Sequence, residues 1–293
     1  MILSNKQRGI LALIGLAFSY ASFGFFTRYL MSVQFAFFQQ LYLRIFAGMI
    51  LGFLIFGRKI NFKKLKKVSL KEWGLLIFRA ASYYLLGAAM FNQAILLTKI
   101  STVSFISSLP MTAILGFLIL REKITFKKIL YISLSFIGVA IISVKSLSNI
   151  FVWGPGEILA LLSTIFVSLS IVFRRFQSKL LTNIEITQII LFFAFIFLLI
   201  ASIGAGENIL TNNWNWPVFL MVLLTGLANV AMIFFTNYGF EHVENSMASN
   251  ILTLEMVFAV MIGFMIYREV PNIKDILGGA LILLSVIQMN KLK

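Results

Sequence analysis

Apolar runs of about twenty residues recur along nearly the whole chain, and no other feature restricts its fold so severely. A helix of that length crosses roughly 30 Å of hydrocarbon. Within a bilayer every backbone N–H and C=O must be satisfied without water, which leaves helices or a closed barrel. Barrel strands are short and alternate apolar with polar residues; these runs do neither. Ten spans are expected, over 9–29, 36–57, 73–95, 101–120, 127–144, 156–174, 186–204, 216–238, 247–267 and 274–290. A chain 60% hydrophobic and 12% charged has too few charges to coat a soluble domain. The fold class is therefore all-α integral membrane. The run from Gly9 to Tyr29 is long for a signal-peptide core and is followed by further spans, so it reads as a retained first helix.

The net charge of +15 would suggest nucleic acid in a soluble protein. Here the charges fall between apolar runs, where they orient the chain in the membrane, and no nucleic-acid partner is expected. Placing both termini inside puts 18 Lys and Arg on the cytoplasmic face and only Lys99, Lys145, Arg268 and Lys274 outside. Seven of the 18 lie in RKINFKKLKKVSLKE, residues 58–72, and Arg28, Arg44 and Arg79 fall in or at the edge of spans. The expectation is a multi-pass protein of the cell (inner) membrane with both ends cytoplasmic. Cysteine is absent, and the one histidine, His242, lies in a short polar loop, so no metal site is expected. There is no G-x-x-x-x-G-K-[ST] run, so no nucleotide cofactor is expected and none of another kind is indicated.

The chain repeats itself. GFLILREKITFKKIL from Gly116 matches GFMIYREVPNIKDIL from Gly263, at an offset of 147 residues. FNQAILLTKIS from Phe91 matches TNYGFEHVENS from Thr236, and ILALIGLAFS from Ile10 matches ILALLSTIFVS from Ile158. Five spans per half is an odd number, so the second half sits upside down relative to the first. Two inverted five-helix repeats, 9–144 and 156–290, around a central cavity follow, with the site near the midplane.

These features resemble the drug/metabolite transporter superfamily, in particular its EamA type. The resemblance is carried by Gly24, by Arg44 in LYLRIF, by Asn92 to Ile95, by SLPMTAILGFLILREKIT, by LTLEMVFAVMIGFMIYRE and by DILGGALILL. It covers nearly the whole chain and implies a cavity walled by spans 1, 3, 4, 6, 8 and 9. It also implies that the last helix of each half is peripheral, so Gly278 and Gly279 serve helix packing or a dimer contact; monomer and homodimer are both compatible. Where the family often has Glu-Pro in span 9, this chain has Glu255 followed by Met256. With Pro110 alone retained and little glycine or proline in the spans, strongly broken helices are not expected.

Glu255 lies near the middle of span 9, where a charge costs roughly 3 kcal/mol on insertion scales. Such a carboxyl either binds a cationic group and exchanges it for a proton, or is held in an ion pair; burial favours its neutral form. Helical spacing puts Ile251 and Ala259 on its face and Thr253 off it. Arg44 and Arg79 need water, carbonyls or a counter-charge. Arg79 can reach the cytoplasmic headgroups, or share a polar stripe with Ser82 and Tyr83 at i+3 and i+4. Asn229 and Asn237 share one face of span 8, with Asn92 at the matching point of span 3. These three are candidate hydrogen-bonding groups for a solute or for neighbouring helices. Glu122 and Glu269 at span ends are read as caps or partners of Arg121 and Arg268.

The expected function is a secondary transporter of a small polar organic metabolite of amino-acid or nucleoside size, working by alternating access and coupled to protons through Glu255. One carboxylate with up to two cavity arginines would suit a molecule bearing both charges. An intramembrane enzyme would need a nucleophile–base pair or a metal cluster, which this residue inventory does not supply. A lipid- or partner-binding protein without transport is the rival reading, and it requires that Glu255 pair with Arg44 and that no cavity exist.

Overall fold

The computed structural model describes residues 4–98, 100–123, 125–143, 154–209, 214–268, 270–271 and 273–292. Lys99, Lys145, Glu269 and Lys293 lie outside them, and of Gly24 and Arg28 only the backbone is described. A helix covers each of the ten apolar runs, and the described residues contain no strand. They are α1 (Asn5–Ser32), α2 (Phe37–Phe56), α3 (Leu70–Leu97), α4 in two pieces (Ile100–Ser107 and Met111–Leu120) and α5 (Phe126–Ser143). The second half has α6 (Pro155–Phe173), α7 (Asn183–Gly204), α8 (Trp216–His242), α9 in two pieces (Asn245–Leu252 and Leu254–Tyr267) and α10 (Ile273–Asn290). Among the described residues seven helical stretches are long and apolar enough to cross a membrane, and Phe105–Leu120 is a shorter apolar stretch.

Local chemistry sets the helix ends. Thr182 begins α7 with a capping box: its hydroxyl accepts from Glu185 N at 3.3 Å while Glu185 accepts from Thr182 N at 2.7 Å. Asn215 caps α8, accepting from Val218 N at 2.9 Å, and Pro155 supplies the first residue of α6, where its missing N–H removes nothing.

Three helices depart from regularity, contrary to the expectation of unbroken spans. Pro110 breaks α4, since its ring removes a donor and pushes Leu109 out of the helical region. α9 breaks at Thr253 without any proline; the Thr253 hydroxyl donates to Asn250 O at 2.6 Å, competing for a carbonyl of the helix ladder. α3 widens into a π-helix over Ala81–Ala88.

The two halves pack with two-fold regularity. α1 lies on α8 as α6 lies on α3; α1 meets α9 as α6 meets α4; α2 touches α8 as α7 touches α3. α2 with α7, α4 with α9 and α5 with α10 pair across the axis. Small residues allow the closest crossings. A Cβ on Gly138 would lie 2.7 Å from Gly278 O, and one on Gly278 2.6 Å from Gly138 O. Gly48 and Gly226 make the same kind of seam between α2 and α8, at 2.8 and 2.7 Å. Gly278 therefore packs within the chain, against α5.

Candidate functional site

A cavity of about 160 Å³ lies where α1, α3, α4, α6, α8 and α9 converge. Glu255 reaches it from the second piece of α9, as the second residue after the break at Thr253. Thr253, off the face of Glu255 in a continuous helix, lines the same cavity because the helix is interrupted between them. Ile251 instead is fully buried in the core, and Ala259 is exposed. Opposite Glu255, the hydroxyls of Tyr20 and Tyr83 are hydrogen-bonded at 2.7 Å. Glu255 lines the same cavity as both phenols.

Hydroxyls make up most of the remaining polar lining. The Thr112 hydroxyl donates to Ser168 Oγ at 3.0 Å, joining α4 to α6. The Ser163 hydroxyl donates to Gly87 O at 2.8 Å and so fastens α6 to the π stretch of α3. Gly87 admits this approach: a Cβ there would lie 2.6 Å from Val167 Cγ2. Asn92 donates to Ala88 O at 2.7 Å, while its Oδ1 and the Ser107 hydroxyl have no partner among the described residues. Both line the cavity and are positioned to bond a solute.

The other candidates stand elsewhere. Arg79 is 1% exposed and does not line the cavity. Its Nε donates to Ser170 O at 2.7 Å, Nη1 to Gln177 Oε1 at 2.5 Å and Nη2 to Asn237 Oδ1 at 2.7 Å. Asn237 in turn donates to the Thr187 hydroxyl at 3.1 Å, and the Ser170 hydroxyl donates to Arg79 O at 2.9 Å. This buried network ties α3 to α6, α7 and α8. Asn229 donates to Thr225 O at 2.9 Å and accepts from the Tyr84 hydroxyl at 3.3 Å, away from the cavity. Arg44, also 1% exposed, donates to Gln40 one turn earlier on α2. Of the seven candidates, the structure brings Glu255, Tyr83 and Asn92 together at the cavity and Arg79 with Asn237 in a second cluster.

Sequence reasoning passed over Tyr20, Thr112 and the α6 hydroxyls. A signal existed for α6: Ser163, Thr164, Ser168 and Ser170 crowd one otherwise apolar run. Glu122, expected as a cap, accepts from Asn245 N at 3.2 Å and Asn245 Nδ2 at 2.8 Å. It thus binds the start of α9, across the molecule.

Glu255 is the one charged side chain among the described residues of the lining. Among the described residues it has no ion-pair partner, and Arg44 donates to Gln40 instead. Both requirements of the partner-binding reading are thereby missing, since a cavity exists and the pair does not.

A helical membrane protein folded as two like halves around a cavity that holds a single carboxylate has the architecture of a membrane carrier. The EamA-like transporter family matches residues 7–144 and 154–291, one match for each half, and the chain belongs to that family. It is 27% identical over 242 residues to an uncharacterized transporter of Archaeoglobus fulgidus, covering 80% of each chain. An uncharacterized transporter of Helicobacter pylori is 28% identical over 233 residues, 76% of each. A solved crystal structure superposes with a TM-score of 0.76 over 97% of this chain and 96% of its own at 12% identity, a likeness in fold alone. The chain is a multi-pass membrane protein of a transporter family.

Proposed function

We propose that this chain is a secondary carrier that moves a small organic cation by alternating access, exchanging it for a proton at Glu255. Ten crossings, two inverted halves (9–144 and 156–290) and cytoplasmic termini complete the reading. The observation that carries it is the cavity charge: one carboxylate and, among the described residues of the lining, no basic side chain. This moves the substrate from a molecule bearing both charges, suggested by the sequence, toward an amine or other cation. Arg44 and Arg79, which were to meet an anionic group, are engaged with Gln40 and with the Asn237 network. A cavity of about 150 Å³ accepts a benzene ring, so 160 Å³ suits a solute of amino-acid or single-ring size better than a nucleoside. Unsatisfied oxygens of Asn92 and Ser107 supply hydrogen bonds to it. When the cation leaves, a proton takes its place on Glu255, which provides the exchange.

Uptake into proteoliposomes tests the substrate class, using matched panels of small amines, zwitterions and carboxylates, with wild type and Glu255→Gln. The expected result is uptake of amines in preference to the other two classes, with accumulation lost in Glu255→Gln. Preferred uptake of carboxylates, or amine accumulation undiminished in Glu255→Gln, would overturn the proposal.

A further inference from the structure

The stretch 58–72, which runs from the end of α2 into the first turn of α3, contains seven basic residues. Arg58, Lys59, Lys63, Lys66, Lys67 and Lys71 are exposed, and none has an ion-pair partner among the described residues. The acid in the segment, Glu72, is buried and accepts from the Ser178 hydroxyl at 2.6 Å. The patch is therefore a concentrated, uncompensated positive charge.

Its shape is as distinctive as its charge. A single helical turn, Phe62–Leu65, follows Asn61, whose side chain accepts from Lys63 N at 3.0 Å. Leu65 and Val68 turn inward and join the core beside Trp73. Phe62 turns outward, 57% exposed, and stacks on Phe53 with ring centroids 6.1 Å apart. Phe53 belongs to the exposed apolar flank of α2, together with Leu54 and Ile55, which faces acyl chains. Phe62 thus continues the exposed apolar flank of α2 beyond the helix end, with the exposed lysines next to it in the chain. Glu185 fixes the position of the arm: it accepts from Asn61 N at 3.0 Å and pairs with Lys64 at 3.4 Å, fastening the arm to the start of α7. A merely solvated loop needs neither the exposed aromatic ring nor the clamp.

We propose that this arm is a binding site for anionic phospholipid headgroups of the adjoining leaflet. Lys63, Lys66 and Lys67 hold the phosphate, and Phe62 lies against the acyl chains. Attraction of this kind grows with each basic residue near the surface and is screened by salt. Through Glu185 a bound lipid braces α2 against α7, a pair that spans the two halves.

The test uses the full chain with Trp73, Trp153, Trp214 and Trp216 replaced by Phe and with Phe62→Trp as the sole tryptophan. Its fluorescence is quenched in phosphatidylcholine vesicles doped with equal fractions of bromine-labelled phosphatidylglycerol or bromine-labelled phosphatidylcholine. The anionic lipid is expected to quench at least about threefold more per mole. That preference should fall toward one in Lys63→Gln/Lys66→Gln/Lys67→Gln, and in about 1 M salt, where the Debye length is about 3 Å. Equal quenching by the two lipids, absent quenching included, overturns the proposal. So does a preference that survives the triple substitution.

Discussion

The guanidinium of Arg79 is held inside the protein by neutral oxygens from three directions, Ser170, Gln177 and Asn237. A buried charge without a full set of partners is expensive, and a hydrogen bond to a charged group is worth about 1.5–3 kcal/mol. Asn237→Leu keeps the side-chain volume and deletes an acceptor. It should lower the unfolding midpoint in detergent by an amount equivalent to about 1.5–3 kcal/mol, while cation affinity of the folded protein stays within about twofold. A large loss of affinity at unchanged stability would instead make Asn237 a substrate contact. Which of the polar residues carried chemistry was partly legible in the chain. Glu255 and Arg79 stood out because a charge within an apolar run is conspicuous. The partners of Arg79 were not legible, because Ser170, Gln177 and Asn237 come from the other half, 91, 98 and 158 residues away. Periodicity reports which residues share a face of one helix and nothing about what that face meets.

At the scale of elements, the apolar period places every helix to within a few residues, since length and hydropathy are local properties. The irregularities were less legible. Pro110 carries the chemistry of its break, a sign that the expectation of unbroken spans passed over, whereas Thr253 breaks α9 through a hydrogen bond to Asn250 O that its residue type does not dictate. The π stretch of α3 has no residue that marks it; its Gly87 carbonyl is taken by Ser163 of α6, a tertiary partner. These departures matter because they set the site: two of them lie where Tyr83, Thr253 and Glu255 enter the cavity. Regular stretches depend instead on close backbone crossings. Gly138→Leu would drive a side chain into Gly278 O and Ile282 and should abolish most of the folded yield, through overpacking of several kcal/mol. Gly204→Ala, where a Cβ meets nothing within 4 Å, is the matching control and should leave yield unchanged, as judged by monodisperse protein recovered in detergent.

For the whole molecule, like helices pair across one axis, and on the proposed function this gives the carrier two related ways to pack around one site. On the face bearing the 58–72 arm the halves are fastened by polar links: Lys128 to Glu244 at 2.5 Å, and Glu122 to the start of α9. Arg175 adds bonds to the carbonyls of Glu241 and Val243 between α6 and the α8–α9 turn, within the second half. Alternating access requires the links between halves to part while the cavity floor around Glu255 passes from one side to the other. The repeat was legible from the Arg-Glu pairs 147 residues apart. The charge of the cavity was not, because it depended on where Arg44 and Arg79 turn. Proton countermovement is the most direct measure of the central claim that a cation and a proton alternate at Glu255. Vesicles containing the carrier and a trapped pH dye would receive an external quaternary ammonium ion, which carries no proton through lipid by itself. The account predicts that the lumen turns alkaline as the ion enters through wild type and stays unchanged with Glu255→Gln. Entry of the ion without any lumenal pH change, or an equal change with Glu255→Gln, would contradict it.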